Sequence, residues 1–307
     1  MLLVLALLGV IGTEFAYSMR LEASMVRSYR DGVIATNLAE AGVEQAIREI
    51  LTQATLVGNP DDGPLTFYRT VLDPLPRLPR ETVPLGSGQF SYRITDEESR
   101  LDLNHSSPDR IDRLLTVLEV EKADRDSIVD SLQDWRDPDE DHRLNGAESE
   151  DTYLKLAVPY RSRNRDLEDI RELLQIHGVT REIYHGHDRI PPLRDFVTVD
   201  GSAQVNQVNI NTAPEAVLRA FGLSDAEVSE IVQSRRAVPY AVVPGKFAGR
   251  GFSTTTQTFR IEAEGLLAGQ PLAGVTAIVR RQPDGQDHDF TVLAWYPHPP
   301  EPTRKPL

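Results

Sequence analysis

Residues 134–151 read DWRDPDEDHRLNGAESED, eight acids against two arginines. Asp137, Asp139 and Asp141 alternate, Asn145 follows, and Glu148 stands eleven residues after Asp137. Hard cations such as calcium take about six to eight oxygen ligands, and the EF-hand loop supplies them from alternating positions closed by a final glutamate. The carboxylates here fall on the first, third, fifth and twelfth positions of such a register. His142 stands where that loop turns on a glycine, and Pro138 occupies its second position, so the spacing argues against an EF-hand. It is compatible with an irregular cage that borrows similar ligands, with Gly146 available for a turn. The expectation is a structural hard cation drawing on Asp134, Asp137, Asp139, Asp141, Glu148, Glu150 and Asp151. Carboxylates a few ångströms apart repel one another and raise their own pKa values unless a cation intervenes. A solvated acidic loop is the competing reading.

Other chemistry is poorly represented. The chain has no cysteine, which removes thiol catalysis, disulfides and thiolate metal sites together. No GxSxG elbow, P-loop or HExxH occurs, and the seven histidines are scattered. His185 and His187, in HGH, lack nearby carboxylate spacing and read as a surface loop. Trp135, Tyr153 and Tyr160 read as packing residues rather than a ligand-stacking set. The net charge is −14, and the stretch from Asp96 to Asp151 holds 19 acids and 7 bases, a balance of 7 − 19 = −12. Such a surface repels phosphate backbones, so no nucleic-acid partner is expected.

The elements that must hold the acidic loop begin with MLLVLALLGVIGTEFAYSM, residues 1–19, apolar apart from Thr13 and Glu14. At helical rise this stretch just reaches across a bilayer core of roughly 30 Å. Its eight Leu, Val and Ile outweigh one Glu on insertion scales. No basic region precedes it and no small-x-small site closes it, which argues against a cleaved signal peptide. The predicted helix continues to about residue 55, a rod of about 80 Å, because no proline occurs before Pro60. Its stripe is Val26, Tyr29, Val33, Ile34, Leu38 and Ala41, carried on by Val43, Ile47, Ile50, Leu51 and Ala54. An anchor and a separate helix, broken at Gly32 or Gly42, is the alternative. Arg20, Arg27 and Arg30 follow the apolar span, which by the positive-inside rule conflicts with an external body.

Beyond a proline-studded stretch to Pro84, QFSYRIT (from Gln89), TFRIEAEG (from Thr258), GVTAIVRR (from Gly274) and FTVLAWYP (from Phe290) alternate as half-buried strands. Residues 97–250 read as helices and loops, DRIDRLLTVLE and DLEDIRELLQIHG among them, giving a helical insertion inside a sheet domain. The insertion contains an internal echo: the run from Leu101 overlays the run from Val208. Both pass through an Asn, a polar cap, a proline and two apolar helices ending in Arg, with Asn104, Ser107 and Pro108 matching Asn211, Thr212 and Pro214 as helix starts. The echo resembles the DNA-binding helix-hairpin-helix unit, yet its turns, EVEKA and GLSDA, lack the paired glycines and carry carboxylates. Structural packing is the better account of both copies.

DEESRLDLN, DWRDPDEDHRLNGAESEDTYL, VPYRSRNRDLEDIRELLQIHGVT and VNINTAPEAVL, in this order behind an apolar helix, resemble the type II secretion minor pseudopilin K family, also called general secretion pathway protein K. The resemblance spans roughly residues 1–240. It implies an α+β fold, with a pilin-like long N-terminal helix packed on an antiparallel sheet and a large, mainly helical domain inserted. The corresponding division is a transmembrane half-helix at 1–19, its periplasmic continuation and first strand at 20–96, the insertion at 97–250, and closing strands at 251–307. The resemblance further implies a non-catalytic subunit at the tip of the periplasmic pseudopilus, held by its helix in the bacterial inner membrane with its bulk in the periplasm. Its implied partners are the minor pseudopilins I and J and the major pseudopilin, and calcium would bind in the inserted region. Family members carry a short basic leader ending in Gly, cut by a prepilin peptidase. Such a leader upstream of Met1 would bring in that peptidase and remove the orientation conflict. Leu5 agrees with the family's lack of glutamate at the fifth position, whereas Asp166 replaces its usual proline. The alternative is a membrane-tethered, metal-dependent hydrolase of the envelope.

Overall fold

In the computed structural model, the described residues are those of 1–307 other than 53, 61–62, 188–189, 202–206, 283–289 and 301–307, with the side chains of residues 2–6 also outside the description. One helix, α1 (Leu2–Ile50), runs unbroken for 49 residues, a rod of about 74 Å. Gly32 and Gly42 lie inside it without breaking it. Among the described residues no helix is long and apolar enough to cross a membrane. The packed stripe starts later than the sequence suggested: Val26, Tyr29 and Val33 are exposed, and burial begins at Ala35. From there Ala35, Leu38, Ala39, Val43, Ala46, Ile47 and Ile50 recur at helical spacing and are buried. The first two turns' worth of expected stripe therefore projects beyond the body.

Three short strands follow, β1 (Leu56–Gly58), β2 (Thr66–Thr70) and β3 (Asp73–Pro74), paired in that order. The main sheet begins with β4 (Val83–Leu85) and β5 (Gly88–Asp96). The inserted region contributes β6 (Leu101–Asp102), α2 (Pro108–Val117), α3 (Lys122–Arg136), α4 (Arg181–His185), β7 (Val197–Thr198), β8 (Val208–Asn209), α5 (Glu215–Ala220), α6 (Asp225–Ala237) and β9 (Phe252–Ser253). The chain then returns as β10 (Thr258–Leu267), β11 (Gln270–Arg281) and β12 (Phe290–His298). These agree with the four strands read from alternation.

The main sheet has the order β12-β11-β10-β5-β4, every pair antiparallel. Its inner face presents Phe90, Tyr92 and Ile94, then Phe259, Ile261 and Ala263, then Val275, Ala277 and Val279, all buried against α1. The approach is closest at Gly265, where an added Cβ would stand 1.8 Å from the carbonyl oxygen of Ala35, so only glycine lets helix and strand meet there. Phe259 pairs with Asp96, so the chain leaves the sheet at one strand and re-enters on its immediate neighbour. The intervening residues form a separate hydrophobic core around Leu101, Leu114, Leu132, Trp135, Leu218 and Ile231.

That core is built twice. β6 pairs in parallel with β7, and β8 in parallel with β9. Asn104 clasps the backbone of Leu167, donating from Nδ2 to its carbonyl and accepting from its N–H, both at 2.9 Å. Asn211 clasps Tyr240 in the same two-point manner, at 3.0 and 2.7 Å. Arg136, ending α3, donates to the carbonyls of Leu103 and Asn104, and Arg235, near the end of α6, to those of Ile210 and Ala213. The two copies meet where α2 packs on α5. Two local expectations are corrected. Asn211 and Thr212 do not cap α5, whose N-cap position is Pro214, because both side chains are engaged by distant segments. DLEDIRELLQIHG yields only a 3₁₀ segment, Ile170–Gln175, opened by an Asp169–Glu172 capping box and followed by Gly178 at φ +87°.

Candidate functional site

α3 ends at Arg136, and its last turn carries Asp134 inward, with none of that side chain exposed. Arg143, nine residues on, folds back over it. The Arg143 backbone N–H lies 3.1 Å from Asp134 Oδ2, and Nη1 donates to Asp134 Oδ1 at 2.5 Å and Asp137 Oδ2 at 2.6 Å. Gly146 makes this closure possible, since a Cβ there would fall 1.8 Å from Asp134 Oδ2. Glu148 is buried beside them and accepts from the Ser162 hydroxyl at 2.9 Å through Oε2. Its Oε1 and the Oδ1 of Asp137 are buried with no hydrogen-bond partner. Burial pushes the Glu148 carboxyl up to about 7, and the charges of Asp134, Glu140 and Asp137 push the same way. Burial also raises Asp134. One arginine thus serves a group of carboxylates that carries more charge than it can neutralise.

The remaining candidates lie around this centre without joining it. Asp139 and Asp141 are exposed, and Asp139 Oδ1 accepts from the Asp141 N–H at 3.0 Å, a contact local to the loop. Asp151 accepts from the Glu148 N–H at 3.3 Å and faces His142 Nδ1 at 3.0 Å. Glu150 pairs with Arg161 at 3.0 Å on the surface. Asn145 is committed to Asp130 through both its N–H and its Nδ2. Among the described residues no group of three or more His, Asp or Glu is arranged to hold a metal ion, His185 and His187 included. Asp134, Asp137 and Glu148 offer the oxygen donors that a hard cation takes; Asp137 and Glu148 each carry an orphaned buried oxygen, and the half-exposed Arg143 bonds both aspartates. Trp135, Tyr153 and Tyr160 form the wall behind, Trp135 edge-on to Tyr153 at 5.3 Å and Tyr153 stacked on Tyr160 at 5.2 Å.

A second acidic group, which the sequence reading passed over, sits where the insertion leaves the sheet. Asp96 accepts four hydrogen bonds, from the Glu98 N–H at 2.9 Å, Asn209 Nδ2 at 2.9 Å, and the hydroxyls of Thr212 and Thr256 at 2.5 Å each. Burial, with the charge of Glu98, still pushes it up to about 7. Glu97 is gripped by Arg260 through two nitrogens at 2.9 and 2.8 Å, by Arg100, and by the Thr198 hydroxyl at 2.6 Å. Burial would raise its pKa, but the Arg100 and Arg260 charges hold it near 2. Glu98 accepts from the N–H groups of Gln257 and Thr258, both at 3.0 Å. Three consecutive acids directly after an alternating strand were the available signal. Glu97 and Glu98 reach β10 of the sheet while Asp96 and Glu97 reach β8 and β7 of the insertion, so together they bolt the insertion to the sheet.

Known proteins resemble this chain in sequence over part of its length and in fold. Residues 94–199 match the family model described as Type II secretion system (T2SS), protein K. Type II secretion system protein K of Pectobacterium carotovorum subsp. carotovorum is 28% identical over 179 residues, covering 52% of this chain and 52% of that protein. The namesake of Pseudomonas aeruginosa is 28% identical over 158 residues, covering 48% and 45%. The chain thus matches about half the length of these relatives. A chain of the crystal structure of the GspK–GspI–GspJ complex from the enterotoxigenic Escherichia coli type 2 secretion system superposes with a TM-score of 0.59 at 17% identity, covering 92% of this chain and 99% of that one. That likeness carries the α+β, pilin-like fold. The matched segment and the curated relatives make this chain similar to type II secretion system protein K, and the solved structure adds likeness of fold.

Proposed function

We propose that this chain is a minor pseudopilin of type II secretion, a non-catalytic subunit that assembles with the pseudopilins I and J and caps the tip of a periplasmic pseudopilus. The observation that carries the reading is the division of α1. Its second half is buried on the sheet, whereas Leu7, Val10, Ile11, Phe15, Leu21, Met25 and Val26 of its first half are exposed apolar residues on a projecting rod. A greasy helix extending from a folded body needs other helices or lipid around it. The same half-helix is the candidate inner-membrane anchor, with the body in the periplasm and the major pseudopilin below it. The inserted domain, with a core of its own set on one end of the sheet, provides bulk suited to a position on which no further subunit stacks. Asp134, Asp137 and Glu148 are the proposed primary donors of a structural Ca²⁺, with Asp139, Asp141, Glu150 and Asp151 reachable through loop adjustment. Bound there, the ion supplies the charge that Arg143 alone does not.

Co-purification tests the assembly. The chain produced without about its first twenty-five residues, mixed with the cognate I and J pseudopilins, is expected to elute as a ternary complex in size-exclusion chromatography with light scattering. Separate elution of all three proteins at micromolar concentration overturns the reading and favours the envelope hydrolase.

A further inference from the structure

The two copies in the inserted domain differ where Asp102 and His105 of the first stand in place of Asn209 and Thr212 of the second. In the second copy, Asn209 accepts the N–H of Asn211 through Oδ1 at 3.0 Å and turns Nδ2 outward, and Thr212 lies three residues on. Together they hold the carboxylate of Asp96. In the first copy, Asp102 accepts the N–H of Asn104 through Oδ1 at 2.9 Å, in the same role as Asn209. Its outward atom is therefore a carboxylate oxygen, and the residue three on is His105, whose Nδ1 lies 2.8 Å from that oxygen. Among the described residues no sheet carboxylate is hydrogen-bonded at this position. A cleft of about 310 Å³ opens there instead, lined by Asp102, His105, Asp200, Gly201 and Arg280 among others. Gly201 allows its backbone to wall in Asp102, because an added Cβ would lie 2.5 Å from Asp102 Oδ2. Arg280 is already spent on the carbonyls of Asp200 and Gly201 and on the Thr258 hydroxyl. Replacing two neutral donors by an acid and a histidine reverses the charge preference of the position, from anion to cation.

We propose that the cleft between Asp102 and Asp200 is a docking site for an arginine side chain of a partner protein. Two aspartates line one cavity with one arginine, whose Nε and Nη2 are engaged elsewhere, so acid outnumbers arginine in the lining. A guanidinium answers it better than an ammonium, being less strongly hydrated and carrying a fixed fork of donors. Burial raises Asp102 and pushes Asp200 up to about 6, the condition an incoming cation would relieve.

The internal duplication supplies the test. Ligand-observed NMR of the full chain at pH 7.5 is expected to show saturable binding of N-acetyl-arginine amide, and binding at least tenfold weaker of the uncharged isostere N-acetyl-citrulline amide. The double variant Asp102→Asn with His105→Thr installs the pair that the second copy already uses, and circular dichroism checks that it folds. It is expected to lose the arginine probe by at least tenfold and to gain binding of N-acetyl-aspartate amide. Asp200→Asn, leaving the dyad intact, should weaken the arginine probe alone. Equal binding of the arginine and citrulline probes, arginine binding unchanged in the double variant, or no binding of arginine at millimolar concentration overturns the proposal.

Discussion

Two groups of buried carboxylates lie in this molecule, one where the insertion joins the sheet and one at the end of α3, and they are satisfied by different means. Around Asp96, Glu97 and Glu98 the donors come from segments far apart in the chain: Arg260 grips Glu97 from β10, and Thr212 and Thr256 lie 116 and 160 residues from Asp96. Both oxygens of Asp96 and of Glu97, and Oε1 of Glu98, have protein partners anchored in regular structure or beside it. Around Asp134, Asp137 and Glu148 the partners come from within thirty residues, Arg143 and Ser162 foremost, and two oxygens stay unpaired. The first arrangement is complete when the chain folds. The second leaves two buried oxygens without a partner, and it is the one that the proposed ion would complete.

Removing the charge from the first group should have the largest effect. Glu97→Gln leaves Arg100 and Arg260 buried and unpaired, and urea denaturation is expected to show a loss of about 3–5 kcal/mol. A loss under about 1 kcal/mol would mean that the junction is not held electrostatically. The pH dependence separates Glu97 from Glu148 by sign. Glu97 has a depressed pKa, so its contribution is present above the ordinary glutamate range and is lost as pH falls toward 2. Glu148 has a raised pKa, so stability is lost as pH rises from about 4.5 through 7. Asp96 adds a slope of the same sign as Glu148, which Glu148→Gln leaves in place. Calcium at pH 7.5 is expected to raise the melting temperature of the soluble domain by on the order of a few degrees, with the gain abolished by Asp137→Ala together with Glu148→Gln. Identical melting curves with calcium and with chelator would remove the ion from the account. The smallest effect belongs to carboxylates that are not buried at all: Arg69→Ala, breaking the exposed pair with Asp73 at 3.0 Å, should change stability by less than about 0.5 kcal/mol.

The sequence made the frame legible wherever periodicity is local. The unbroken helix, the four alternating strands and the doubled Asn–Pro–helix–helix–Arg pattern were all readable, because each is written in neighbouring residues. The stripe on α1 was misplaced toward Val26 and Tyr29, since apolar spacing does not say where the sheet begins. Thr212 looked like a helix cap because caps are local, yet its hydroxyl serves Asp96 across the domain boundary. The grouping of acids after Trp135 was visible from composition, but its centre was not. Arg143 counted only as a minority charge in the sequence, and the fold sets it between Asp134 and Asp137. Which of the seven candidates turn inward depended on where α3 stops and on Gly146 closing over Asp134, neither of which spacing reveals.

The contact between Gly265 and the carbonyl of Ala35 has a mechanical consequence. It is a fulcrum, with backbone on backbone and no side chain to cushion it, and the helix beyond it extends some 33 residues, or about 50 Å. A tilt of about 10° at that point sweeps the far end through about 9 Å, close to the width of a helix. A methyl group at position 265 would therefore act as a wedge under a lever, leaving the body almost unmoved and carrying the free end out of reach of its neighbours.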